Sequence, residues 1–192
     1  MSTTDRTRYS TVAIWLHWII ALMIIGNLLG GLTLDLLFPG KDPATIETKR
    51  FIIGLHKSIG LSVILLTLLR IGWRLVNPPP PLPGHMTRIE VILAKATHMA
   101  FYVLMLALPF SGWAMVSTGK RVFPLQWFGL FEVPKLPLSP DLGGFFYETH
   151  EVLGWIAVAT LALHVLAAVK HQVFDRDNLL ARMLPFVGGR EA

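Results

Sequence analysis

Seven histidines are the residues of this 192-residue chain best equipped for chemistry. The chain has no cysteine. That excludes disulfide frameworks, iron–sulfur clusters, thiolate zinc sites, Cys nucleophiles and thioether attachment of a c-type haem. Imidazole is therefore the soft-metal ligand available here, with metal binding and proton transfer as its natural uses. Five histidines, His17, His56, His98, His150 and His164, fall well inside long apolar stretches. An ionisable residue at membrane depth is costly, so each of the five is a functional candidate. His85 lies in a Pro-rich connector and reads as a solvated loop residue. His171 follows Lys170 and reads as a surface or headgroup residue.

The elements that must position these rings are membrane spans. Hydrophobic residues make up 53% and charged residues only 15%, with mean hydropathy +0.57. Four stretches are long enough to cross a bilayer, at residues 12–37, 51–69, 89–116 and 144–173. They predict an all-α fold, a four-helix transmembrane bundle forming a single domain over residues 1–192. The first stretch is too long for a cleaved signal peptide and contains His17 and Trp18. Pro78 to Pro81, with Pro83 and Gly84, cannot be helical and predicts a stiff connector. The stretch Lys120–Asp141, with four prolines, predicts an irregular loop. Its Phe123, Trp127, Phe128 and Phe131 should lie against the membrane surface or cap the bundle. The net charge of +5 has its explanation in basic loops beside the spans rather than in nucleic acid. Ten of the Lys and Arg fall on the face holding both termini and seven on the other. That places the termini in the cytoplasm. The segment after Val173, with Leu179, Leu180, Met183 and Leu184, should lie along the inner surface.

Antiparallel spans sort the histidines by depth. His17 sits near the cytoplasmic start of span one, and His56 near the outer start of span two. His150 and His164 are 14 residues apart, nearly four turns, so they share a helix face about 21 Å apart. The result is an outer level with His56 and His150 and an inner level with His17 and His164. Two stacked pairs from facing helices suit two haems between helices of a bundle, each iron taking two axial imidazoles. Small residues are needed where a flat macrocycle passes the backbone. Gly54, Gly60, Gly112, Gly143, Gly144 and Gly154 stand near the two levels, although close helix packing uses glycine too. His98 competes at the inner level as a ligand, a propionate partner or a core histidine. A metal transporter and a proton relay are further readings. The first would ordinarily add acidic or sulfur ligands.

Several motifs then carry a resemblance. They are Arg8-Tyr9-Ser10 with Leu16-His17-Trp18, Leu55-His56-Lys57-Ser58-Ile59-Gly60, and Leu69-Arg70-Ile71-Gly72-Trp73-Arg74. Further along come His98 to Tyr102, Pro109-Phe110-Ser111-Gly112-Trp113, Glu148-Thr149-His150-Glu151, Leu163-His164, and Asp175 to Asn178 with Arg182-Met183-Leu184-Pro185. Their order and spacing resemble the bacterial cytochrome b561 family over nearly the whole chain. The loops at 38–50 and 120–144 match poorly, and these are where a substrate would be selected.

The resemblance implies two b-type haems on His17, His56, His150 and His164, in the bacterial inner membrane. It implies a superoxide oxidase-like activity, with superoxide as the small-molecule donor and ubiquinone as acceptor. A second branch implies a b-type electron-carrier subunit docked to a hydrogenase or dehydrogenase. A haem-free His-containing transporter is the reading outside the family. Iron with two axial histidines has no open position, so outer-sphere transfer is expected. An anionic donor would be steered by positive charge at the outer mouth, with Arg50 and Lys57 as candidates beside Lys49, Lys120 and Arg121. Headgroup or propionate pairing is an equal account of each. Arg70, Arg74 and Lys95 would pair with inner propionates or anchor span ends. Trp15, Trp18, Trp73, Trp113 and Trp155 read as interfacial or haem-packing residues, not as a quinone site.

Overall fold

The computed structural model describes residues 8–119, 124–177 and 179–184. Four long helices account for most of them: α1 (Thr11–Leu37), α2 (Pro43–Val76), α3 (Arg88–Thr118) and α4 (Gly143–Lys170). Each is long and apolar enough to cross a membrane. The helix starts are written in short polar residues. Ser10, Asp42 and Thr87 accept hydrogen bonds from the first-turn amides of α1, α2 and α3, and Thr87 with Glu90 completes a capping box.

Helix α2 departs from the expected span at both ends. It begins eight residues before Phe51 and runs seven beyond Leu69. The cause at its start is local: Asp42 caps the Thr45 amide at 3.0 Å, and Pro43 stands where a missing N–H costs nothing. Hydropathy sees only the apolar centre of such a helix and misses its polar extensions.

Close packing runs between chain neighbours, α1 on α2, α2 on α3 and α3 on α4. The mid-bundle core is Ile20, Val63 and Met105, flanked by Met23, Ile59, Leu66, Phe101 and Tyr102. At the end away from the termini, Lys49 on α2 bridges Asp35 on α1 at 2.7 Å. The loop before α4 is more ordered than its prolines suggest. Gln126–Trp127 pairs antiparallel with Phe131–Glu132 across a turn in which Phe128 and Gly129 take positive φ. A 3-10 turn at Pro140–Leu142 leads into α4. This hairpin caps the bundle by docking on α2. The Phe128 amide donates to Ser58 Oγ at 2.9 Å, and the Trp127 indole donates to Ser62 Oγ at 3.0 Å. Leu125 is buried beneath it. Phe123, Lys120 and Arg121 lie outside the described residues.

The terminal end is closed by the tail. Beyond α4 the chain makes a π-helical turn, His171–Asp175, stopped by Arg176 at φ 55°. It then folds back against the bundle as a 3-10 turn, Leu180–Met183. The Trp18 indole donates to the Met183 carbonyl, Arg8 donates to that of Leu184, and Arg182 donates to that of Pro81. His85 is exposed in its connector, as expected, and donates to the buried Asp177 carboxylate at 3.3 Å, whereas His171 is largely buried and donates to the same carboxylate at 2.8 Å. Burial raises the Asp177 pKa. The Leu179 amide and the two histidines outweigh that and hold the carboxyl below the usual range. Lys170 joins Glu90 on α3 to Asp175 in the tail.

Replacing Ser58 by Ala removes the acceptor of the Phe128 amide at a buried position, a loss of about 1–3 kcal/mol. Hydrogen exchange of the amides in 126–132 should accelerate while that of the mid-helix amides stays fixed. Unchanged exchange in the hairpin would show that other contacts hold it.

Candidate histidine centres

Helix α4 carries one histidine to each end of the bundle, and each meets an imidazole from a helix that α4 does not pack closely against. Near the hairpin end, His150 faces His56 of α2 with ring centroids 6.0 Å apart. Toward the terminal end, His164 faces His17 of α1 at 6.2 Å. Two imidazoles bound through Nε2 to one metal, at about 2 Å each, would have centroids roughly 6 Å apart. His164 also lies 5.9 Å from His98 of α3, with Phe101 at 5.3 Å. The terminal level is thus a cluster of three rings, and distance alone does not choose between His17 and His98. All five rings are half-buried.

The orientation of His150 follows from a short stretch of α3. Its Nδ1 lies 3.0 Å from the Leu108 carbonyl, which can only accept. The ring proton is therefore on Nδ1, and Nε2 presents its lone pair, as a metal ligand requires. Ser111 Oγ donates to the same carbonyl at 2.7 Å and stands 3.0 Å from His150 Nδ1. Gly112 makes the approach feasible: a Cβ there would lie 2.9 Å from His150 Cε1 and 3.2 Å from Nδ1. Pro109 withdraws one N–H from the same helical segment.

His56 is seated differently. Asn27 on α1 donates to its backbone carbonyl at 3.1 Å. Its ring passes Gly31, where a Cβ would meet His56 Cε1 at 3.3 Å. The ring Nδ1 is buried with no hydrogen-bond partner. At the other level, Arg70 NH1 stands 3.2 Å from His17 Nδ1. Guanidinium only donates, so that nitrogen accepts.

The expected glycines divide into groups. Gly112 serves a histidine directly. Gly60 packs against Pro109 and Asn27, and Gly143 against the Thr118 backbone. Nothing lies within 4 Å of a Cβ built at Gly54, Gly144 or Gly154. Gly31 carries the same role as Gly112 and is not among those expected, because its register against His56 depends on how α1 meets α2. Of the expected steering residues, Arg50 is exposed and Lys57 is half-buried beside His56. Lys49 is engaged by Asp35. A cleft of about 560 Å³ opens at the hairpin end, lined by Thr118, Asp141 and Tyr147 among others, with Tyr147 one turn before His150.

These residues fit axially held haem. Two imidazole pairs stand at the separation that a shared iron needs, and the His150 ring presents its Nε2 lone pair. A Gly112→Ala substitution should push the His150 ring off Leu108 and lower the haem content of the purified protein, whereas Leu22→Ala on the exposed outer face of α1 should leave it unchanged. Equal content in both variants would contradict the role given to Gly112.

Comparison with known proteins agrees with this chemistry. A family profile described as prokaryotic cytochrome b561 matches residues 8–186. Cytochrome b561 homolog 2 of Escherichia coli is 34% identical over 188 residues, covering 95% of this chain and 94% of that protein. A protein named probable superoxide oxidase CybB from Yersinia pestis is 29% identical over 180 residues, covering 93% and 96%. Cytochrome b562 of Cereibacter sphaeroides is 28% identical over 189 residues, covering 94% and 98%. The haem-free transporter reading is thereby set aside. With four membrane-spanning helices and a family match along almost its whole length, this chain belongs to the prokaryotic cytochrome b561 family, multi-pass bacterial membrane cytochromes of b type that transfer electrons.

Proposed function

We propose that this protein holds two b haems and passes single electrons from a small anionic donor of the superoxide class to ubiquinone. The observation that carries the reading is the pair of facing imidazole sets, at 6.0 and 6.2 Å, stacked along α4. His56 and His150 would be the axial ligands of one haem, and His17 and His164 those of the other. The family resemblance favours His17 over His98 at the second position. Haems held by two imidazoles each would supply one-electron chemistry, with substrate kept off the metal.

The charge pattern supports an orientation with both termini in the cytoplasm, which puts His56 and His150 at the outer face. There Lys57 follows a ligand directly and Arg50 stands two turns earlier on α2. Their positive charge would raise the local concentration of an anionic donor at the outer haem edge. The relative named as a probable superoxide oxidase supports that donor class. The balance is simple: two superoxide anions each lose one electron and become dioxygen. Ubiquinone takes both electrons with two protons and becomes ubiquinol.

The test uses the purified full chain. A reduced-minus-oxidised spectrum should show a b-type α-band, and superoxide should drive ubiquinone reduction without a protein partner. Exchanging Arg50 and Lys57 together for Gln should slow that rate about tenfold at low ionic strength and flatten its salt dependence. An unchanged rate and salt dependence would remove the steering role. Turnover only when a dehydrogenase is added would identify an electron-carrier subunit instead.

A further inference from the structure

Arg70 and Arg74 lie one turn apart at the terminal end of α2, both over the Tyr102 ring, at 6.0 and 5.8 Å from its centroid. At this end Lys170, His85 and His171 are bound to carboxylates, and Arg8 and Arg182 donate to backbone carbonyls. Among the described residues no carboxylate pairs with Arg70 or Arg74. Two adjacent guanidinium groups at the edge of an apolar bundle call for a counter-charge. One turn before Arg70, Thr67 is fully buried and its hydroxyl has no partner. A small cleft beside the arginines is lined by Tyr9, Trp73, Asn77 and Met183. Among the described residues, this patch is rich in donors and lacks an anion.

The contact between Arg70 and His17 sharpens the point. A neutral imidazole has one ring proton. If Nε2 gives its lone pair to iron, that proton sits on Nδ1, which then donates. Arg70 also only donates, so the two cannot remain bonded. With iron on His17, Arg70 must turn to an acceptor close by. An oxyanion with paired oxygens is what a planar guanidinium fork matches best.

We propose that Arg70 and Arg74 form an oxyanion site that takes the carboxylates of the inner haem's propionates, with Arg70 exchanging His17 Nδ1 for a propionate oxygen. This rests on the two-haem reading above. The arginines are positioning residues: they orient the macrocycle against His17 and neutralise it, and they do not touch a substrate. A phosphate of an anionic lipid has the same chemistry and is the other source to be distinguished.

The experiment measures haem retention and midpoint potentials of the purified full chain in nanodiscs, with Arg70→Gln, Arg74→Gln and Arg70→Lys. Both Gln variants should keep the low-spin b-type spectrum and release one haem to apomyoglobin about tenfold faster or more. One of two midpoints should fall, since a positive charge that favours the reduced form has gone, while the other stays. Arg70→Lys should restore the midpoint more than the retention, because charge returns but the fork does not. Haem dimethyl ester, loaded into the unmodified chain, should be lost as fast as haem from Arg70→Gln, and the substitution should then add nothing. That arm carries the test if a Gln variant fails to fold. Equal retention and unchanged midpoints in both Gln variants, or haem ester held as tightly as haem, would overturn the proposal. So would effects that appear only with phosphatidylglycerol in the nanodiscs, which would assign the site to lipid. Absence of any b-type band from the unmodified chain would remove the two-haem reading itself, and the proposal with it.

Discussion

An imidazole has two ring nitrogens, and in a bilayer neither can be left to water. A metal-bound imidazole almost always has its other nitrogen held by a partner. His150 shows how this chain meets that demand. The Leu108 carbonyl holds its Nδ1 at 3.0 Å, and Gly112 leaves the gap through which the ring reaches it. Much of the bundle's layout serves this contact. Helix α4 packs on α3 to make it, and from the seam between them His150 and His164 reach the rings of His56 and His17.

Helix α4 carries one histidine of each level, and the proposed electron path would run along it. The two ends of the bundle are closed by different means. At the hairpin end, Ser58 and Ser62 of α2 hold the loop through its backbone and the Trp127 indole. At the terminal end, Asp177 gathers His85 and His171, and Trp18 and Arg8 grip the carbonyls of the tail. These contacts tie the segments that flank α1, α3 and α4, so the terminal ring cluster sits beneath a cross-braced surface. The larger cleft, about 560 Å³, lies at the hairpin end.

The two levels are legible in the sequence because depth along a helix follows from residue number. The 14-residue interval in α4 fixes both the shared face and the axial separation of its two histidines. What one helix presents to another is not legible. The role of Gly31 beside His56, the Leu108–Ser111 support of His150 and the approach of Arg70 to His17 all depend on rotation of neighbouring helices. The pairing of His85 and His171 with Asp177 is not legible for the same reason: Asp177 arrives by a fold-back of the tail that no local pattern announces. Helix α2 exceeds its apolar span because its ends are polar and are held by a cap rather than by hydropathy. The hairpin at 126–132 is hidden among prolines, its turn depending on positive φ at Phe128 and Gly129.

The central claim is that four particular imidazoles hold two haems in two independent sites. It is tested most directly by counting haem per chain, by pyridine haemochrome, in paired substitutions. Changing His56 and His150 together to Ala should leave one haem per chain, as should changing His17 and His164 together, while His98→Ala should keep two. Two haems retained in either paired variant, or one lost from His98→Ala, would contradict the assignment.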